Sequence, residues 1–481
     1  MQLWRLRQRV HVSWVIALWC LFFVIGVWTA QYIALNSWWY VGAGLLACFG
    51  VWRRQLFVLP CIVLAGMIAG MCYGSFVSRG LEVYKPLVGA TLKLEGRVKE
   101  DLSTTAKGLV VVQLDHVKYL GDDLPGSVWV SVIGHPKAKR GDIVTVSGKT
   151  TVGFGTFALT MFTAKIMSVV EPHPGDIGRI VRDWFADAIR KGIPEPEASL
   201  GVGYLTGQKS ALPSDLATAL QIAGLSHIVV ASGYNLTILV RLSRRFFIKV
   251  SKFMSVFSSG IMITGFIAMT GLSPSMTRAG LVSSLSLLTW YYGRQFHPFV
   301  LLPFAAAITV LWQPSYAWGD LGWQLSFAAF AAVMIVGPLL QNYFFGEKEP
   351  GIVRQVLGET VAAHIVTIPI AVPAFGYISN VAIPANILIV PLVPLAMLLT
   401  FIVGVTALAM PAIAEIVGTP ASWLLHYMTF TSQYLAGLPW AKTTLVTPWW
   451  AIVAYSMLLV AGCIYMQRKT GFRLQKVNIV E

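Results

Sequence analysis

Thr360–Ala414 reads TVAAHIVTIPIAVPAFGYISNVAIPANILIVPLVPLAMLLTFIVGVTALAMPAIA, 55 residues without one Asp, Glu, Lys or Arg. A helix needs about 20 apolar residues to cross a bilayer. This stretch is therefore read as parts of consecutive membrane spans. Pro369, Pro373, Pro384, Pro391 and Pro394 interrupt it. Prolines at membrane depth free backbone groups that need partners, so broken or re-entrant helices lining a cavity are expected here.

The whole chain agrees with that reading. Of 481 residues, 56% are apolar and only 12% charged, and Trp and Phe number 17 and 25. Mean hydropathy is +0.68. These values exclude a disordered chain, a disulfide scaffold and an ordinary soluble enzyme. Apolar runs at about 12–34, 38–52 and 55–78 open the chain, and the first is read as an uncleaved span. Further spans are expected at about 225–240, 254–272, 278–293, 297–313, 321–345, 353–376, 383–409, 415–437 and 448–466. The expected fold is thus a polytopic α-helical membrane protein of about 12 spans.

Between 82 and 172 the pattern changes to alternation with charges. Five strands are read at Ala90–Lys99, Leu109–Val117, Val128–Gly134, Asp142–Gly148 and Phe157–Val169. Five short strands in so small a region suit a small β-barrel inserted between spans. An OB-fold leads among the small barrels that share this pattern. The helix expected at 176–192 sets Ile177, Ile180, Val181, Trp184, Phe185, Ala188 and Ile189 on one face. Arg179, Arg182, Asp183, Asp187 and Arg190 fall on the other. A helix at the membrane surface and a linker helix packed on the barrel both fit this pattern. The expected organisation is N-terminal spans over 1–80, the β domain over 82–172 and the amphipathic linker over 173–197. A membrane channel domain over 198–466 and a tail over 467–481 complete it.

The net charge is +15. Seventeen Lys and Arg fall in the termini and loops of one side, against Arg278 and Lys442 in the short loops of the other. This bias places both termini in the cytoplasm and the β domain outside the cytoplasmic membrane. The first side carries +13 of the +15, and residues 82–176 only about +1. The basic balance therefore reports topology and is no separate sign of nucleic acid.

Motifs for chemistry are sparse. The sequence has no Walker A, HxH, HExxH or CxxC pattern, so no metal, cofactor or nucleotide site is expected. His227 and Ser232 head one span, which leaves an intramembrane serine hydrolase as a minor alternative. Polar residues inside apolar runs are costly and tend to mark a pathway. His227, Ser232, Asn235, Arg278, Asp320, Gln324 and Asn386 are the candidate lining residues, with His364 and Asn380 also noted. Their expected roles are polar lining and support of helix breaks, not catalysis. In the β domain, Trp129, Lys137, Lys139 and Arg140 are the candidates for contact with a nucleic acid strand.

Four segments carry a resemblance. Leu205-Thr206-Gly207-Gln208-Lys209-Ser210 with Ala223–Asn235 (AGLSHIVVASGYN) resembles the signature of ComEC-type DNA uptake channels, approximately TGD+S followed by GLSHLLAISGLH. Thr270–Ala279 (TGLSPSMTRA) resembles that family's TG-x-x-PS-x-x-RA segment. Gly319–Ala329 (GDLGWQLSFAA) resembles its D-x-G-x-QLSF-x-A segment. Asn386–Leu392 (NILIVPL), after Pro373–Gly376, resembles its N-x-L-x-x-PL segment. Gln208 stands where an acidic residue is usual, and Tyr234-Asn235 where Leu-His is usual. The resemblance implies passage of single-stranded DNA across the bacterial inner membrane in natural transformation, with an OB-fold as the extramembrane domain. It also implies partners: an extracytoplasmic DNA receptor, a cytoplasmic helicase or ATPase and, since HxHxDH is missing, a separate nuclease. A polytopic transporter of a small or lipid-linked substrate is the alternative reading.

Overall fold

Apolar runs fold as helices because a chain in lipid must satisfy its backbone groups internally. The structure, a computed structural model, describes residues 10–53, 56–104, 109–134, 136–208, 212–229, 233–293, 297–346 and 351–471. Helices α1 (Val12–Thr29), α2 (Trp39–Arg53) and α3 (Leu59–Gly80) come first. Strands β1 (Thr91–Val98), β2 (Ser103–Thr104), β3 (Val110–Tyr119), β4 (Asp122–Leu124), β5 (Ser127–Val132), β6 (Ile143–Val152) and β7 (Phe157–Val170) follow. Helices α4 (Ile177–Arg190), α5 (Glu197–Thr206), α6 (Ser214–Ile222), α7 (Ser226–Val229), α8 (Gly233–Phe247), α9 (Lys252–Thr270) and α10 (Pro274–Tyr291) come next. After them lie α11 (Pro298–Trp312), α12 (Tyr316–Gly319), α13 (Leu321–Ala331), α14 (Gly337–Phe345) and α15 (Ile352–Phe375). Strand β8 (Tyr377–Ser379), α16 (Ala382–Ile389), α17 (Val393–Ala409), α18 (Ala414–Ala436), β9 (Lys442–Thr444) and α19 (Trp449–Thr470) end the order.

Among the described residues, seven helical stretches are long and apolar enough to cross a bilayer. They are Val12–Thr29, Leu59–Leu87, Lys252–Thr270, Leu321–Phe345, Val353–Phe375, Ala382–Ala409 and Trp449–Thr470. The chain is a membrane protein with a small barrel domain. Five of the twelve expected spans fall outside these seven. Helices α2, α8 and α11 have 15 residues each, or roughly 22 Å of rise against a hydrocarbon core of about 30 Å. Helices α10 and α18 are longer, but Arg278 with several serines, and Glu415 with His426 and Gln433, lower their hydropathy.

The chain divides into two compact units, 1–176 with 296–323, and 177–295 with 324–481. In the first, α3 lies on α1 along Gly66, Gly70 and Gly74, a Gly-x-x-x-Gly ladder. A methyl group at Gly70 would stand 2.1 Å from the Phe23 carbonyl oxygen, so only glycine allows this approach. The Tyr73 hydroxyl donates to Leu311 O at 2.7 Å, tying α3 to α11.

The barrel closes in the order β1–β3–β5–β7–β6–β1. Only β5–β7 is parallel. Alternation along the strands points Leu94, Val112, Leu114, Val128, Val130, Val144, Val146, Leu159 and Met161 into one sealed core. The five main strands coincide with those expected, each within a few residues. A bulge in β7 at Thr163, whose amide donates to Ser131 Oγ at 3.1 Å, bends the strand around the closure.

In the second unit, α5 is buried along its whole length and forms the middle of the core. The prolines meet the expected helix breaks only in part. Pro369 and Pro373 lie inside the continuous α15. The span Ala382–Ala409 breaks instead at a 3₁₀ turn, Val390–Leu392, beside Pro391 and Pro394. A π-helical segment, Ala332–Val336, precedes Pro338. Widening the turn there relieves the clash between the proline ring and the carbonyl four residues back.

Helix α4 is turned relative to a water-soluble amphipathic helix. Arg179 and Arg182 are buried, whereas Ile177, Ile180, Val181 and Trp184 are exposed. Arg182 Nη2 pairs with Asp183 Oδ1 at 2.9 Å. Only Phe185, Ala188 and Ile189 of the expected apolar face turn inward, where Phe185 meets Phe401.

Candidate functional site

Helix breaks inside a membrane domain expose carbonyl oxygens that side chains must satisfy. Helix α5 ends at Gly207, whose φ of +71° is left-handed. Its amide closes the turn on Gly203 O at 2.8 Å. Beyond it, the buried Gln208 Oε1 has no hydrogen-bond partner among the described residues. Asn235, on the first turn of α8, is wholly buried. Its amide nitrogen donates to Tyr204 O at 3.0 Å, near the end of α5, and to Ile228 O at 3.2 Å, in α7. One side chain thus joins three helices at their breaks. His227 is at the surface, with Nδ1 2.9 Å from Gly224 O. The Ser379 hydroxyl donates to Ile222 O at the end of α6, 2.5 Å away. Asn386 is buried and its amide donates to Ala382 O at 2.7 Å.

Arg278 projects from α10 against two aromatic rings of α13, 5.9 Å from the Phe327 centroid and 5.1 Å from that of Phe330. Its buried Nε has no hydrogen-bond partner among the described residues. A methyl group placed on Gly233 would come within 3.3 Å of its Nη2. The guanidinium therefore sits beside the start of α8, held on aromatic faces. Gln324 is half-buried on α13. Ser232 lies outside the described residues.

In the first unit, Asp320 is the N-cap of α13. Its Oδ1 accepts from the Trp323 amide at 2.6 Å, and a carboxylate there also complements the helix dipole. Trp323 Nε1 donates to Thr309 Oγ1 at 2.9 Å. Gly319, one residue before Asp320, packs backbone to backbone on Gly155 of the β6–β7 loop. The charges of Asp320 and Glu100 and burial together push the Tyr316 hydroxyl above its ordinary range, burial contributing most. The barrel loop 153–156 therefore meets the segment that carries Asp320.

On the barrel, Trp129 meets Phe154 at 5.5 Å and Phe162 at 5.3 Å, and Phe154 meets Phe157 at 5.6 Å. Phe154 and Phe162 are about half exposed, at 51% and 50%. Lys137 and Lys139 are exposed. Arg140, the remaining cation expected to contact a strand, is not free to do so. It is buried, and its Nε donates to Asp176 Oδ2 at 2.7 Å.

The competence-protein family model matches residues 204–469, more than half of the chain. The chain belongs to this family. ComE operon protein 3 of Bacillus subtilis (strain 168) is 23% identical over 232 residues. That alignment takes in 46% of this chain and 28% of the relative, so the match spans well under two thirds of that protein. No solved structure matches.

The four quoted segments thus supply Gly207, Gly224, Asn235, Arg278, Asp320 and Asn386 of this competence protein. Most of these shape or tie helix ends. The structure brings Asn235 to the Tyr204 and Ile228 carbonyls, and Arg278 to Phe327 and Phe330. Phe327 and Phe330 lie three and six residues past Gln324 on one helix, where the sequence alone does not distinguish them from core residues. Phe154 and Phe162 were also missed, because a half-exposed aromatic looks like a core residue until the strand's facing is known. The buried Gln208 oxygen was visible only as a departure from the family pattern.

Proposed function

We propose that this protein forms a multi-pass channel in the bacterial cytoplasmic membrane through which single-stranded DNA enters during natural transformation. Membership of the competence family carries the reading. Both termini lie in the cytoplasm and the barrel lies outside, following the bias of Lys and Arg. The barrel is an OB-fold: five strands closed in the order 1-2-3-5-4-1, with the third and fifth parallel, support this assignment. In such barrels the loops after strands 1 and 4 and the face of strands 2 and 3 receive oligonucleotides. Trp129, Phe154 and Phe162 offer aromatic faces on which unpaired bases stack, with Lys137 and Lys139 for phosphates.

The strand then passes the Asp320 segment and the polar helix breaks around His227, Ser232, Asn235, Arg278, Gln324 and Asn386. These residues position backbone and line the way, and none performs catalysis. A receptor outside the membrane, a helicase or ATPase inside and a separate nuclease supply capture, driving force and strand degradation. Deleting the chromosomal copy and following labelled DNA tests this. Label should reach a nuclease-resistant surface state but not the cytoplasm. Normal cytoplasmic entry would refute the reading.

A further inference from the structure

The C-terminal end of α8, the N-terminal end of α9 and the C-terminal end of α10 meet at one level. Lys252 Nζ donates to Tyr291 O at 2.6 Å and fixes the junction. Helix α9 is one of the seven long apolar helices, so its end at Lys252 lies where hydrocarbon gives way to headgroups. This holds for either orientation of the chain.

Residues 241–252 hold Arg241, Arg244, Arg245, Lys249 and Lys252 and not one acid. Arg241, Arg244 and Arg245 follow i, i+3, i+4 spacing, which puts three like charges on one helix face. Among the described residues, none of the five has a carboxylate at ion-pair distance. The three arginines, with Ile248 and Trp290, line a groove of about 360 Å³. Arg244 lies 4.2 Å and Lys252 5.3 Å from the Trp290 ring centroid. Mutual repulsion without an internal counter-ion calls for an external anion. The apolar side chains at the same level, Phe246 and Phe253, are 68% and 63% exposed, as lipid-facing residues are.

We propose that this groove is a binding site for the phosphodiester headgroup of an anionic phospholipid. The arginines hold the phosphate, while Ile248 and the exposed phenylalanines accompany the acyl chains. Basic pockets between helix ends take such headgroups for this reason. A nucleic acid strand fits less well, because Trp290 is partly buried among α8–α10 and engaged by two cations.

The test is native mass spectrometry of the full chain in mild detergent with added cardiolipin, phosphatidylglycerol or phosphatidylethanolamine. Cardiolipin and phosphatidylglycerol should bind and the zwitterionic lipid should not. Each arginine near a charged surface contributes about fivefold in affinity. R241Q should therefore weaken cardiolipin binding about fivefold and R241Q/R244Q/R245Q by at least tenfold, while R241K/R244K/R245K keeps most of it. If the triple glutamine variant fails to fold, R241Q, at an exposed position, decides alone. Equal retention by wild type and R241Q would overturn the proposal. So would displacement of the lipid by millimolar inorganic phosphate or by a thymidine 20-mer, which would assign the groove to free phosphate or to nucleic acid. None of these outcomes depends on whether DNA crosses the membrane.

Discussion

Replacing Asn235 with leucine keeps the branched shape and heavy-atom count of the side chain and removes both donors. The wild-type amide satisfies two carbonyls, Tyr204 O and Ile228 O, at helix breaks where the side chain is wholly buried. Each buried acceptor left unpaired costs about 1–3 kcal/mol. Side-chain bonds between membrane helices measure lower, averaging about 0.6 kcal/mol. Two bonds therefore bracket the loss between about 1 and about 6 kcal/mol, and about 2–3 kcal/mol is expected. Asn235→Asp should be worse, because its carboxylate would face two carbonyl oxygens. The assay is denaturant unfolding of the purified full chain, followed by tryptophan fluorescence. Transformation frequency, scaled to the amount of folded protein in the membrane, is the companion readout. If N235L loses less than about 0.5 kcal/mol while scaled transformation collapses, the architectural account of Asn235 is wrong. The residue would then act on the passing strand.

Gly319→Ala would place a methyl group 2.2 Å from the Gly155 carbonyl carbon, and backbone cannot yield as a side chain does. The loop around Gly155 should lift, with a loss of about 1–3 kcal/mol and faster proteolysis at 153–156; unchanged proteolysis would count against this contact. Asp320→Ala removes the cap of α13 and should cost about 1 kcal/mol. Asp320→Asn should keep most of that stability, since its oxygen still accepts from the Trp323 amide. Transformation lost in D320N at full stability would show that the charge itself, beyond the cap, serves passage.

The barrel was legible because strand alternation is a local pattern, and Val, Leu and Met at every second position leave one consistent register. The long apolar helices were legible for the same reason. Of the twelve expected spans, seven have the length and hydropathy of a bilayer crossing among the described residues, while Arg278 on α10 and His426 on α18 lower the hydropathy of two others. The facing of α4 was not legible. A 3.6-residue period separates two faces, but which one turns inward depends on whether the surroundings are water or lipid. At the site, Asn235 and Asp320 stood out as polar residues in apolar company. Their partners are backbone atoms, and those carbonyls and amides lack partners only because helices end there, a fact no side-chain pattern records.

The placement of charge also separates two ways a barrel can hold a strand. Arg140 is taken up by Asp176, so only Lys137 and Lys139 remain of the expected cations. For single strands the logarithm of affinity falls with the logarithm of salt with a slope of about −0.7 per neutralised phosphate. Two lysines give a slope of about −1.4. Stacking on Trp129, Phe154 and Phe162 contributes about 1–3 kcal/mol per base and is insensitive to salt. Binding of oligothymidylate by the full chain should therefore weaken only modestly between 50 and 200 mM salt, roughly sevenfold at that slope. F154A and F162A should each cost about fivefold or more in affinity. A slope steeper than about −4 would require some six phosphate contacts. The barrel's near-neutral balance offers no such surface, so that result would move the strand to another part of the molecule.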